Sequence, residues 1–143
     1  MEISKEFQFD AAHRILGHSG KCAWLHGHTY RLGVTVEAPR LNAFDMVMDF
    51  DDLVPLVHDA VLDRWDHATL LRRDDPLVPA IARVQAAAPD RLVLFAEHPT
   101  AEVLAREAFD AIAKRLPDSV TLASVTVWET PACSSRFRRF HAD

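Results

Sequence analysis

Between Lys5 and His13 apolar and polar residues alternate. Phe7, Phe9, Ala11 and His13 fall on one face, and Glu6, Gln8, Asp10 and Ala12 on the other. A period of two predicts a half-buried strand. The same period starts again at His26, with His28, Tyr30, Leu32, Val34 and Val36 opposite Thr29, Arg31, Gly33, Thr35 and Glu37. The segment from Arg14 to Leu25 contains Gly17, Ser19 and Gly20 and reads as a loop joining antiparallel neighbours, with Cys22 on it. After APRLN the period lengthens. Leu53, Leu56, Val57, Ala60 and Val61 fall at i, i+3, i+4, i+7 and i+8, the stripe of an amphipathic helix. Asp49, Asp51 and Asp52 are cap candidates that suit the positive helix start, and Pro55 requires that start to lie close before it. Residues 72–91 carry Pro76, Pro79 and Pro89 and read as an excursion with room for a short helix. RLVLFA reads as a short strand. HPTAEVLAREAFDAIAKRL opens with a Pro-Thr cap signal and places Ala101, Leu104, Ala108, Ile112 and Leu116 on one helical stripe. VTLASVTVWE and SSRFRRF flank the turn-like TPAC and read as a final hairpin. The predicted order is two strands, two helices, two strands.

Composition narrows the class. A chain of 143 residues suits one domain, 1–143, able to bury a real core. With 49% hydrophobic and 26% charged residues it reads as an ordinary folded domain rather than a disordered or fibrous chain. A formal net charge of −5 argues against nucleic acid or an anionic membrane as partner, because such proteins usually present net basic surfaces. No apolar run approaches the roughly 20 residues that span a bilayer. The start MEISKEFQFD lacks a signal-peptide pattern, so the expected location is cytoplasmic. Cys22 and Cys133 do not make a disulfide framework and are expected to be reduced.

The candidate chemistry centres on CAWLHGH. His26 and His28 share a strand face with Gly27 between them, and His13 ends the preceding strand. If the two strands pair as a hairpin, three imidazoles converge. Three neutral histidines form a typical zinc set with a fourth position left for water or substrate, and the alternative is that the HxH pair merely decorates a strand. Cys22 admits three readings: a fourth ligand, an inert buried thiol, or a thiolate base. Asp66 directly precedes His67. A relay between neighbours requires an irregular backbone, and otherwise the two are a cap and a surface histidine. Glu129 shares a face with Val125 and Val127, so it is either a solvated strand end or a carboxylate turned toward a cleft. There it would accept two N–H bonds from a heterocycle with an amidine edge. Arg14, Lys21, Arg136, Arg138 and Arg139 are candidates for holding phosphate oxygens, or for guarding an edge strand.

Taken together, FQFDAAHRIL, KCAWLHGHTY, MVMDFDDL, WDHATL, HPTAEVLA and VWET resemble, in order, the 6-pyruvoyltetrahydropterin and 6-carboxytetrahydropterin synthase family. The resemblance implies an α+β T-fold, a four-stranded antiparallel sheet with two helices on one face (ββααββ). It also implies homo-oligomers, in which trimeric β-barrels stack into hexamers with sites between subunits. It makes His13, His26 and His28 the ligands of Zn²⁺, Cys22 a catalytic base rather than a ligand, and Asp66 and His67 its catalytic partners. Glu129 becomes the pterin anchor. Thr100 and Glu102 approach the pterin from an interface, although locally they also read as a helix cap and a first-turn acid. The C-x₃-H-G-H spacing is similar to the bacterial carboxy enzymes, which implies conversion of 7,8-dihydroneopterin triphosphate to 6-carboxytetrahydropterin, acetaldehyde and triphosphate on the way to queuosine. The pyruvoyl-forming reaction and a non-catalytic zinc- or pterin-binding module are the alternatives. Trp65, Leu71 and His98, and the long stretch 72–95, depart from the family pattern.

Overall fold

A computed structural model describes residues 1–139; Phe140, with which the predicted last strand closes, lies outside the described residues. The two alternating runs form β1 (Glu2–His13) and β2 (His26–Glu37), antiparallel and paired from Glu2 opposite Glu37 to His13 opposite His26. β5 (Thr121–Thr130) lies antiparallel to β2, and β6 (Cys133–Phe137) antiparallel to β5, as the hairpin pattern predicts.

The other side of β1 corrects the expected four-stranded antiparallel sheet. β3 (Ala68–Arg72) pairs parallel to β1, and β4 (Leu92–Phe95) pairs parallel to β3. Among the described residues the sheet is therefore mixed and six-stranded, in the order β4-β3-β1-β2-β5-β6. Ala68, Thr69, Leu70 and Leu71 are all buried, so β3 is covered on both faces and shows no alternation by which to recognise it. Parallel neighbours cannot be joined by a tight turn. The proline-bearing excursion is the crossover that β3 and β4 require, and it contains a short helix, as anticipated.

The first predicted helix runs as α1 (Phe50–Val57), a π turn (His58–Leu62) and a final turn, α2 (Asp63–Trp65). Asp49 caps it, its carboxylate accepting the Asp51 N–H at 2.9 Å. α3 (Val78–Val84) is the helix of the excursion. α4 (Ala101–Ala113) starts at Thr100, whose hydroxyl accepts the Val103 N–H at 3.4 Å. The predicted stripes are the ones that pack, except that Leu56 stays half-buried outside the core. Leu53, Val57 and Val61 from the first helix, with Leu104, Ala108 and Ile112 from α4, join Phe9, Tyr30, Leu32, Val34, Val125 and Val127 in one core on one face of the sheet. Over β1, β2 and β5 the opposite face is mostly polar, and there Trp128 lies across β2. A Cβ on Gly33 would sit 2.9 Å from that ring, so any larger residue there would push the Trp128 ring aside. No helix among the described residues is long and apolar enough to cross a membrane.

Candidate active site

The register of β1 and β2 sets His13 against His26 and Ala11 against His28, at the end of the core face. The ring centroids lie 4.6 Å (His13 and His26), 5.1 Å (His13 and His28) and 4.9 Å (His26 and His28) apart. One nitrogen from each ring comes within 4.8 Å of the others. His13 Nδ1 is 2.8 Å from the Pro99 carbonyl and His26 Nδ1 is 2.7 Å from the Trp24 carbonyl. A carbonyl only accepts, so both rings carry their proton on Nδ1 and leave Nε2 as a bare lone pair.

His13 Nε2 is buried and has no hydrogen-bond partner; the nearest counter-charge is Glu129 Oε1 at 3.9 Å. Such an orphan costs about 1–3 kcal/mol unless something occupies the space before it. Burial, opposed by the Pro99 carbonyl and reinforced by His26 and His28, pushes His13 down to about 4. Burial also lowers His28, against the opposing charge of Glu129. Both rings are therefore neutral at pH 7, the form that binds metal. Three converging imidazoles, those of His13 and His28 held neutral, around a buried, unpartnered nitrogen fit a divalent cation of zinc type.

Cys22 sits on a single helical turn (Lys21–Ala23), and the loop that carries it is closed by Ile15 N–H donating to the Cys22 carbonyl at 2.7 Å. Cys22 is exposed, which removes the reading as an inert buried thiol. It lines a cavity of about 290 Å³ together with His13, Thr100, Glu102 and Glu129. Larger hollows exist elsewhere, yet this one gathers five of the predicted site residues. Glu129 points into the cleft, near the end of β5, with its side chain 28% exposed. Thr100 and Glu102 keep their local roles as cap and first-turn acid of α4 while facing the same cavity. Below the imidazoles Tyr30 is fully buried and stacks on Phe9 at 4.9 Å. Burial and the charge of Glu129 push its hydroxyl well above the usual phenol range.

The Asp66 and His67 pair has the irregular backbone that a relay between neighbours needs. His67 has φ 59°, in the left-handed region that few non-glycine residues adopt. The reversal brings its Nδ1 to 3.0 Å from Asp66 Oδ1. Asp10, which the alternation places only on a polar face, completes the arrangement: its N–H donates to Asp66 Oδ1 at 2.9 Å and its carbonyl accepts the His67 N–H at 2.6 Å. Partial burial raises the Asp66 carboxyl, but the Asp10 N–H and His67 outweigh it and the net shift is downward. This pair does not line the cavity of Cys22. His67 borders a separate hollow with Asp10, Ala12, Gly27, Thr29 and His28.

The phosphate candidates divide. Arg14 grips Asp75 through Nε, at 2.8 Å from Oδ2, and through Nη2 to Oδ1, so its fork is already occupied. Arg136 donates to Thr126 Oγ1 at 3.0 Å and Arg139 to Asp110 at 2.7 Å. With Arg138 they line a hollow of about 480 Å³ that contains none of His13, His26, His28 or Cys22. Two further participants, the Pro99 and Trp24 carbonyls, are backbone groups that no residue pattern advertises.

The family model described as 6-pyruvoyl tetrahydropterin synthase matches residues 2–139. A 6-carboxy-5,6,7,8-tetrahydropterin synthase of Haemophilus influenzae is 35% identical over 133 residues, covering 91% of this chain and 93% of that protein. A probable 6-carboxy-5,6,7,8-tetrahydropterin synthase of Halobacterium salinarum is 37% identical over 135 residues, covering 92% and 82%. An uncharacterized protein of Wolinella succinogenes shares the fold with a TM-score of 0.83 at 24% identity, over 98% of both chains. The 6-pyruvoyl tetrahydropterin synthase of Caenorhabditis elegans shares it with a TM-score of 0.71 at 22% identity, over 98% and 96%. This α+β chain belongs to the 6-pyruvoyl tetrahydropterin synthase family. Within that family it is similar over most of its length to proteins named as 6-carboxy-5,6,7,8-tetrahydropterin synthases.

Proposed function

We propose that this protein is a zinc-dependent 6-carboxy-5,6,7,8-tetrahydropterin synthase. It would convert 7,8-dihydroneopterin triphosphate to 6-carboxytetrahydropterin, acetaldehyde and triphosphate, a step toward 7-deazaguanine compounds such as queuosine. The observation that carries the reading is His13 Nε2, buried and unpartnered among three converging imidazoles, in a cavity shared with Cys22 and Glu129. The names of the relatives point the same way.

His13, His26 and His28 would hold zinc, which supplies Lewis acidity toward the hydroxyls of the substrate side chain. The remaining work falls to the chain. The Glu129 carboxylate accepts two N–H bonds from the amidine edge of the pterin and so sets its orientation in the cleft. Cys22, exposed on its turn beside the cavity, removes a proton as thiolate. His67, its Nδ1 held by Asp66, relays a second proton through the ring nitrogen that Asp66 leaves free. His67 borders a different hollow from Cys22, which supports a complete site that takes its Asp66 and His67 from a second copy of the chain, in a trimer or hexamer that would also pair the edges that β4 and β6 leave open among the described residues.

The test is product analysis of the zinc-loaded protein incubated with dihydroneopterin triphosphate. Mass spectrometry should find 6-carboxytetrahydropterin with stoichiometric acetaldehyde. A pyruvoyl product with triphosphate release alone would assign the sister reaction, and tight zinc and pterin binding without turnover would make the protein a binding module.

A further inference from the structure

The turn that ends β3 is tied to both flanks of His13. Asp75 is buried, with 1% of its side chain exposed, and both its oxygens are engaged by the fork of Arg14, the residue after His13. Its Oδ1 also accepts the Leu77 N–H at 2.8 Å, so this carboxylate is spent on internal contacts. Three residues earlier Arg72 reaches the other flank. Its Nη1 donates to His98 Nε2 at 2.8 Å, while Asp74 holds the same guanidinium from the opposite side, at 3.0 Å from Nη2. His98 directly precedes Pro99, and the Pro99 carbonyl is the acceptor for His13 Nδ1–H. The Thr100 N–H donates to the His98 carbonyl at 2.8 Å and closes that bend before α4 begins. The backbone supports the same junction: β3 pairs Leu70 with His13, and Arg73 N–H donates to the Phe95 carbonyl at 2.8 Å.

We propose that the turn from Arg72 to Asp75 is a clamp that holds the His13 ring with Nδ1–H on Pro99 and Nε2 aimed at the cation site, and that Asp75, Arg72 and His98 are positioning residues for metal binding. This rests on the zinc reading above. The physical reason is the position of His13 on its strand. It is the last residue of β1, where pairing to β2 ends and a loop of twelve residues, 14–25, begins. Strand pairing alone places its Cα, whereas the rotation of the ring is set by whatever holds the next residue and the carbonyl that takes Nδ1–H. Both holds come from one turn. Arg14, attractive from sequence as a phosphate ligand, is thereby reassigned to fastening the strand end.

The experiment compares zinc affinity of the full chain, metal-depleted and then titrated against a chromophoric chelator. Asp75→Asn, Arg72→Met and His98→Leu should each weaken binding by about 10–100-fold, the range seen when groups that orient a metal-ligating histidine are lost. His98→Gln keeps an acceptor at similar reach for Arg72 and should bind within a few-fold of the unsubstituted chain. Ile112→Val, in the core of α4 away from the site, controls for general destabilisation and should leave affinity unchanged. A second measurement uses the metal-free protein: exchange of the His13 Nδ1–H with solvent, followed by proton-nitrogen NMR, should be slow in the unsubstituted chain and faster in Asp75→Asn and Arg72→Met. Should Asp75→Asn fail to fold, Arg72→Met, at a side chain 28% exposed, carries the comparison. Unchanged affinity with unchanged exchange overturns the clamp, and so does an equal loss in Ile112→Val. If the unsubstituted chain binds no zinc, the zinc reading fails, and the exchange measurement alone upholds or overturns the clamp.

Discussion

At the scale of single residues the strongest asymmetry is between Cys22, exposed, and His13, buried to 2%. A base that meets substrate needs access, and a ligand that must stay neutral gains from exclusion of water. Replacing Cys22 with alanine should lower kcat by about 10²–10⁴, the usual contribution of a positioned base, while zinc stoichiometry stays at its unsubstituted value. Full activity in that variant would remove Cys22 from the chemistry. His13 makes a different prediction, for the metal-free protein. Its folded-state value, about 4, lies below the ordinary 6.5, so between those values the unfolded chain binds more protons than the native one. Stability is therefore unaffected by this group above pH 6.5 and falls as pH drops from 6.5 toward 4. His28 is shifted in the same direction and adds to the effect. Urea midpoints measured at pH 7 and pH 5 should show the loss, and His13→Gln, which cannot be protonated, should reduce it.

Among the elements, α4 shows most directly how local chemistry serves the site. Thr100 is at once the residue that ends the Pro99 bend, the cap of the helix and part of the cavity wall. Its bond to the Val103 N–H is long, at 3.4 Å, so Thr100→Ala should cost about 0.5–1 kcal/mol, the lower part of the range for lost caps. Thr100→Ser should restore it. Thermal melts of the metal-free protein test this, and a loss above about 2 kcal/mol would mean that the Thr100 side chain does more than cap the helix. The junction of α2 and β3 is the other decisive element boundary. There the chain reverses at His67 with positive φ, and that reversal, together with the Asp10 backbone, makes neighbouring residues into a hydrogen-bonded pair.

For the whole molecule, the sheet ends among the described residues in two unpaired edges, β4 and β6, and the candidate site is divided between two hollows. The proposed assembly of identical copies would resolve both. The consequence is testable by complementation: Cys22→Ala and His67→Ala, each inactive alone, should recover activity when unfolded and refolded together. Random mixing leaves about one quarter of shared sites with both residues intact, so recovery should approach that fraction. A mixture as inactive as its components would place Cys22 and His67 of one chain in one site and overturn the shared arrangement.

Much of this was legible along the chain because the signals are local. The period of two in β1 and β2 carries His13, His26 and His28 to one face, and the helical stripes of α1 and α4 identify the residues that cover that face. Asp49 and Thr100 mark the helix starts by side-chain bonds that span two or three residues. What tertiary structure alone decided lies between residues far apart. β3 is too short and too completely buried to leave a period, so the parallel half of the sheet is visible only through its pairing with β1. Arg14 and Asp75, 61 residues apart, turn a candidate phosphate ligand into a fastening. The Pro99 carbonyl, 86 residues from His13, decides which ring nitrogen is left bare among the three imidazoles. Patterning specifies what a segment becomes and which side it buries, because those depend on near neighbours; which nitrogen is bare and which arginine is spent depend on groups that only the folded chain brings together.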